Sequence, residues 1–155
     1  LDREVYNLGF SGNAKLDMEI AEYMASVKDP GVFVLDYAPN CTADLIDQKA
    51  EKFFRIIREE HPDVPVIIVE PPYYPYKDFD RKVYEDFAQR IQAQRSLYKK
   101  LKKSGEKKLL YIKSDQLLNG NKDATVDGVH YTDLGSVIHA EAIVPVIRRA
   151  LRMTK

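Results

Sequence analysis

Cysteine is almost absent. The one residue of that type, Cys41, leaves no internal disulfide and no multi-cysteine metal site. It does not fix the compartment, because secreted domains can also do without disulfides. A charge excess is absent too: 24 Lys and Arg stand against 24 Asp and Glu, so the formal net charge is zero. That speaks against a nucleic-acid partner, whose footprint is a basic excess or stripe. Lys99, Lys100, Lys102, Lys103, Lys107 and Lys108 do cluster. They fall at the polar end of an expected helix and read as a solvated face. No apolar run is long enough to span a bilayer, so no membrane role is expected. No His, Asp or Glu cluster has metal-ligand spacing, and neither a metal nor an organic cofactor is expected. No secretion signal is visible, but the chain opens on Leu1 rather than Met. The expectation is a cut or processed piece, with any targeting segment upstream; a periplasmic or secreted location is compatible with that, and the compartment stays open.

What is present reads as one domain over residues 1–155, large enough to bury a core. The pattern predicts a short buried strand over Glu4 to Phe10, broken by Gly9-Phe10-Ser11-Gly12-Asn13. A helix is expected over Leu16 to Val27, where Leu16, Ile20, Tyr23, Met24 and Val27 recur at three and four. Val32 to Leu35 and Val64 to Val69 are continuous apolar runs, the mark of strands covered on both faces. Thr42 is a good N-cap for a helix ending near His61. A rigid aromatic loop, Glu70 to Tyr76, leads to a long charged helix from about Phe79 to Lys103. Leu109 to Ile112 is the next strand, Gln116 to Val126 is irregular, and a last helix follows Thr132, with a kink conceivable at Pro145.

Strand and helix thus alternate, which implies an α/β layer with a mostly parallel sheet. Right-handed crossovers bring every strand's C-terminal end, and the loop that follows it, to one edge. Ligands bind there in such sheets. Four strands are expected where a compact sheet of this kind has five, with the first in the middle. The expectation is therefore that a strand–helix unit holding the central strand lies upstream of Leu1. The gap would favour association through the incomplete sheet, or a partner segment.

Asp127-Gly128-Val129-His130 carries the chemistry. A carboxylate three residues before an imidazole, across a glycine, can accept from Nδ1–H and leave Nε2 free as a general base. From these residues alone, an Asx turn and a cap before the helix at Thr132 is the favoured reading. Asn40 can shape a loop after Pro39, and Gly12 can relax a turn. His61 reads as exposed, His139 as a packed or surface residue of the last helix, and Cys41 as a small packed side chain.

The segments Asn7 to Asn13, Ala38-Pro39-Asn40 and Asp127-Gly128-Val129-His130 come in the order, and near the spacing, of the later sequence blocks of the SGNH (GDSL-type) hydrolases. The resemblance covers nearly the whole chain. It implies a flavodoxin-like three-layer α/β/α sandwich and ester hydrolysis by a Ser-His-Asp triad, on small-molecule or carbohydrate esters. It implies that His130 is the base and Asp127 its orienting acid. The Gly12 N–H and the Asn40 carboxamide would then be the oxyanion donors. The family's first block, which carries the nucleophilic Ser, has no match here, in keeping with a missing central strand. Ser11 resembles a nucleophile elbow, but Asn13 stands at its last position, and Ser11 is expected to order its loop instead. Tyr73 and Tyr74 could wall a substrate pocket or equally cover the helix after them. Two rivals remain at this point. One is a receiver-like domain phosphorylated on Asp36, with Lys113 at the last strand's end. The other is a non-catalytic binding module of the same fold.

Overall fold

A computed structural model of the chain describes residues 1–73 and 78–153. Three parallel strands, β1 (Phe33–Leu35), β2 (Val66–Val69) and β3 (Leu109–Ile112), stand in the order β1-β2-β3. Phe33, Val66 and Leu109 are in register, as are Val34, Ile67 and Leu110. Side chains of a strand alternate between faces, so each row belongs to one layer. Phe33, Leu35, Val66, Ile68 and Leu109 pack under α1 (Met18–Ser26), α2 (Ala43–Glu60) and α3 (Arg81–Lys103). Val34, Ile67, Val69, Leu110 and Ile112 pack under α4 (Asp133–Leu151). The result is the expected three-layer α/β/α sandwich.

Local chemistry sets the helix ends. The Thr42 hydroxyl accepts from Leu45 N–H at 3.2 Å and opens α2, whose buried stripe is Ile46, Ala50, Phe53, Phe54 and Ile57. The Asp80 carboxylate accepts from the Lys82 and Val83 amides and opens α3. Gly105, at φ +100°, closes α3: its amide donates to Lys102 O and the Glu106 amide to Leu101 O, a paired glycine C-cap. Thr132 opens α4 by accepting from the Gly135 amide at 3.0 Å. Pro145 lies inside α4 without ending it. The carbonyl that loses its donor belongs to Glu141, an exposed residue.

One expected strand is not there. Glu4 to Phe10 runs without secondary structure, and Val5, Tyr6 and Phe10 are 76%, 56% and 54% exposed. An alternating apolar pattern makes a strand only when a ladder partner satisfies its backbone, and among the described residues β1, at the sheet edge, pairs with β2 alone. Between this N-terminal stretch and the free edge of β1 lies a cavity of about 740 Å³. Tyr6 and Leu8, Val34 and Leu35 of β1, Ile20 of α1 and Ile147 of α4 all line it. Both helix layers and a sheet edge therefore bound one slot.

Candidate active site

The parallel sheet delivers the loops after β1, β2 and β3 to its C-terminal edge. The loop after β3 passes two short 3-10 turns, Ser114–Gln116 and Lys122–Ala124, and then doubles back. Thr125 and Tyr131 form an antiparallel bridge, and Val126 N–H donates to His130 O at 2.9 Å. Gly128, at φ +88°, makes the reversal, a backbone region that side chains disfavour. This narrow hairpin presents Asp127 and His130 together.

The Asp127 carboxylate has three donors. Oδ1 accepts from the amides of Val129 and His130 at 2.9 and 2.8 Å, and Oδ2 takes His130 Nδ1–H at 2.6 Å. The Asx turn and the acid–imidazole couple are thus both formed by one side chain, while the helix cap is Thr132. The ring hydrogen bond from His130, then the two backbone amides, hold the Asp127 carboxyl well below the usual carboxylate range. The proton on Nδ1 is assigned from this network. It leaves the Nε2 lone pair on a side chain that is 78% exposed and, among the described residues, has no other hydrogen-bond partner.

Asn40 ends the 3-10 turn Ala38–Asn40 that follows β1, and it is exposed. Its turn is anchored from beneath. The buried Tyr37 hydroxyl donates to Gln94 Oε1 at 2.7 Å, and Gln94 Nε2 donates to Val69 O at 2.6 Å. Burial holds the Tyr37 phenol well above its ordinary range, so it stays a donor. Arg90 donates to Pro39 O at 2.9 Å and also pairs with Asp86. Gly12 sits in an exposed turn at φ +65°, where an added Cβ would meet nothing within 4 Å. The backbone conformation, rather than crowding, is what calls for glycine there. Cys41 Sγ donates to Ala14 O at 3.5 Å and links the Gly12 loop to the Asn40 loop. Burial pushes the Cys41 thiol up to about 11, so it remains protonated and unreactive.

The structure therefore joins Asp127 to His130 directly and the Gly12 loop to the Asn40 loop through Cys41. Ser11 is exposed in the Gly12 turn. Tyr73 donates to the Asp78 carboxylate and meets Phe87 of α3 edge-on at 6.5 Å. It thus packs on the helix that follows it. Tyr74 lies outside the described residues. Among the described residues no group of three or more His, Cys, Asp or Glu could hold a metal ion. No described helix is long and apolar enough to cross a membrane.

Several supporting residues were not visible in the sequence. Glu70, fully buried at the end of β2, accepts from Arg95 Nε at 2.6 Å, Tyr111 OH at 2.8 Å and Ser114 N–H at 2.8 Å. It pins the loop after β3 to α3. Burial and the Glu70 charge keep the Tyr111 phenol far above its ordinary range. Asp36 faces His139 Nε2 at 3.7 Å, and the His139 ring bonds Tyr131. Only the three-dimensional meeting of these groups reveals them; a lone Glu after a strand or a His inside a helix carries no such signal.

The family model of the GDSL-like lipase/acylhydrolases matches residues 1–148. Among solved structures, one from Bacteroides ovatus ATCC 8483, described as that of a GDSL-like lipase, is similar at a TM-score of 0.84 with 32% identity, over 91% of this chain and 42% of that one. A salicylyl-acyltransferase from a tetracycline biosynthetic pathway is similar at a TM-score of 0.70 with 18% identity, over 90% of this chain and 42% of its own, a likeness of fold alone. The chain thus spans 42% of the length of each. No curated protein matches it.

Proposed function

Because the chain belongs to the GDSL-like lipase/acylhydrolase family, we propose that it supplies the base and the oxyanion donors of a serine esterase acting on small-molecule or carbohydrate esters. The observation that carries this reading is the Asp127–His130 couple at 2.6 Å, with Nε2 turned out to solvent. Asp127 holds the ring and stabilises the imidazolium. Nε2 takes the proton of a seryl hydroxyl as its oxygen attacks the ester carbonyl. The tetrahedral oxyanion is met by the Gly12 N–H and the Asn40 carboxamide. The same imidazolium then protonates the leaving alcohol as the C–O bond breaks. Water, deprotonated by His130, releases the acid and restores the serine. Each oxyanion donor is expected to contribute roughly 2.7–4 kcal/mol to the transition state.

In this reading the nucleophile lies upstream of Leu1, on a strand that fills the slot beside β1. The slot supports this, since it continues the sheet between two helix layers and is lined by apolar side chains from both. The free edge of β1 is then a pairing surface, and the partner of residues 1–155 is that strand.

The test is p-nitrophenyl acetate hydrolysis by the chain alone and by a form extended upstream, with fluorophosphonate labelling of both. The extended form turns over and is labelled at an upstream serine, and His130→Ala reduces its kcat by about 10⁴-fold or more. Residues 1–155 alone neither turn over nor label. Labelling of Ser11, or an extended form whose activity survives His130→Ala, refutes the assignment.

A further inference from the structure

His139 has more structure around it than a helix-surface residue requires. Its side chain is only 15% exposed. The Tyr131 hydroxyl lies 3.0 Å from Nδ1, and the two rings stack at 4.9 Å with a 43° tilt. On the opposite side, Nε2 faces the Asp36 carboxylate at 3.7 Å. One neutral tautomer serves both neighbours: Tyr131 O–H donates to Nδ1, while Nε2–H points to the carboxylate. Each end of this chain lies next to a part of the site. Tyr131 follows His130 directly and forms the bridge to Thr125 that closes the hairpin. Asp36 directly follows β1 and leads into the anchored turn that ends on Asn40.

We propose that His139 is a positioning residue that fixes the His130 hairpin against the loop after β1, through Tyr131 on one side and Asp36 on the other. The inference rests on the esterase reading for its kinetic consequence, though not for its geometry. The His130 ring is itself exposed and is held by a single carboxylate on its own hairpin. Thr132 and Gly135 hold the base of the hairpin, but without a further tie its tip can flex and loosen the Asp127–His130 hydrogen bond. The Tyr131–His139–Asp36 chain supplies the tie, and α4, packed on the sheet through Ile143, Val146 and Ile147, makes it stiff. The chain also gives Asp36 a task that does not involve phosphorylation.

Two measurements test this on the active, upstream-extended form. Tyr131→Phe deletes only the hydroxyl and keeps the ring; His139→Ala removes both contacts. Each lowers kcat about tenfold with KM unchanged, as a misplaced base does. Combined, they cost no more than His139→Ala alone, because they break one chain. Tyr131→Phe leaves the thermal midpoint in place, so the kinetic loss is not one of folding. The second measurement needs no turnover. The imidazole ¹⁵N shifts of His130 report its tautomer, which is Nδ1–H while Asp127 accepts from it. In both variants these shifts move toward those of a free histidine. Unchanged His130 shifts in both variants overturn the proposal even if the protein proves to have no esterase activity. Shifts that move in a protein without activity in any form leave the positioning intact and sink the esterase reading instead. Additive kinetic losses show two separate effects and refute the chain.

Discussion

Gly135, in the first turn of α4, is the position where one methyl group should do most damage to the site. A Cβ built there lies 1.9 Å from the Ala124 carbonyl oxygen and 2.8 Å from its carbon. Ordinary contact begins at 3.4 Å, so helix and loop must separate by about 1.5 Å (3.4 minus 1.9). That carbonyl accepts from the Thr132 amide at 3.0 Å, and the neighbouring Asp123 carbonyl accepts from the Thr132 hydroxyl at 2.9 Å. A shift of this size takes both beyond hydrogen-bond reach. Two lost hydrogen bonds cost about 1–3 kcal/mol, and forced overpacking a further 1–3 kcal/mol or so. Replacing helical glycine with alanine returns about 1 kcal/mol. Gly135→Ala should therefore destabilise by about 1–5 kcal/mol, which for a chain of this length lowers the thermal midpoint by roughly 3–15 °C. Thermal and urea unfolding read the stability. The moved segment is the strand of the hairpin that pairs beside His130, so activity should fall further than stability does. Gly12→Ala is the contrast, with a φ of +65° but open space. Its cost is the left-handed backbone alone, about 1 kcal/mol. A Gly135→Ala protein that unfolds with wild-type parameters would falsify the close approach of Ala124 and the account of how the hairpin is held.

Asp127→Asn should lower kcat by about 10²–10⁴-fold, because the amide no longer favours the tautomer with Nε2 free. A folded-state carboxyl held low favours the couple above the ordinary Asp range and loses it only as pH falls through the lowered value. Asp127 therefore adds no acid limb of its own to the activity profile between about pH 5 and 8; a wild-type kcat in Asp127→Asn contradicts the assignment. Asn40→Ala should cost about 10²–10³-fold in kcat while leaving the thermal midpoint in place, since Asn40 is exposed. A drop in stability without a change in rate would make Asn40 a loop former only. Glu70→Leu leaves Tyr111 OH and the Ser114 amide without their acceptor and should cost about 2–4 kcal/mol in urea unfolding; a neutral result would mean that water replaces the carboxylate.

Elements with a local cause can be read from the residues alone. Thr42 and Thr132 begin helices because a hydroxyl can bond an amide three residues on. The stripe from Ile46 to Ile57 makes α2 because its spacing matches a helical turn. Val66 to Val69 and Leu109 to Ile112 are strands because β-rich apolar runs leave them nowhere to go but the interior. Asp127 and His130 were legible as a couple for the same reason: three residues and one glycine confine the geometry. Glu4 to Phe10 forms no strand because pattern cannot supply a ladder partner, and among the described residues none reaches it across the slot beside β1. The direction of the supports emerges only once the chain is folded. Folding brings Glu70 under Arg95 of α3, Tyr111 of β3 and Ser114 of the loop after β3, and it sets His139 between Asp36 and Tyr131. The Glu70 contacts and the Asp36–His139 pair join residues 25 to 103 positions apart, and no local spacing encodes them. They follow from the register of three parallel strands and from the face on which α4 lands, which long-range packing alone can choose.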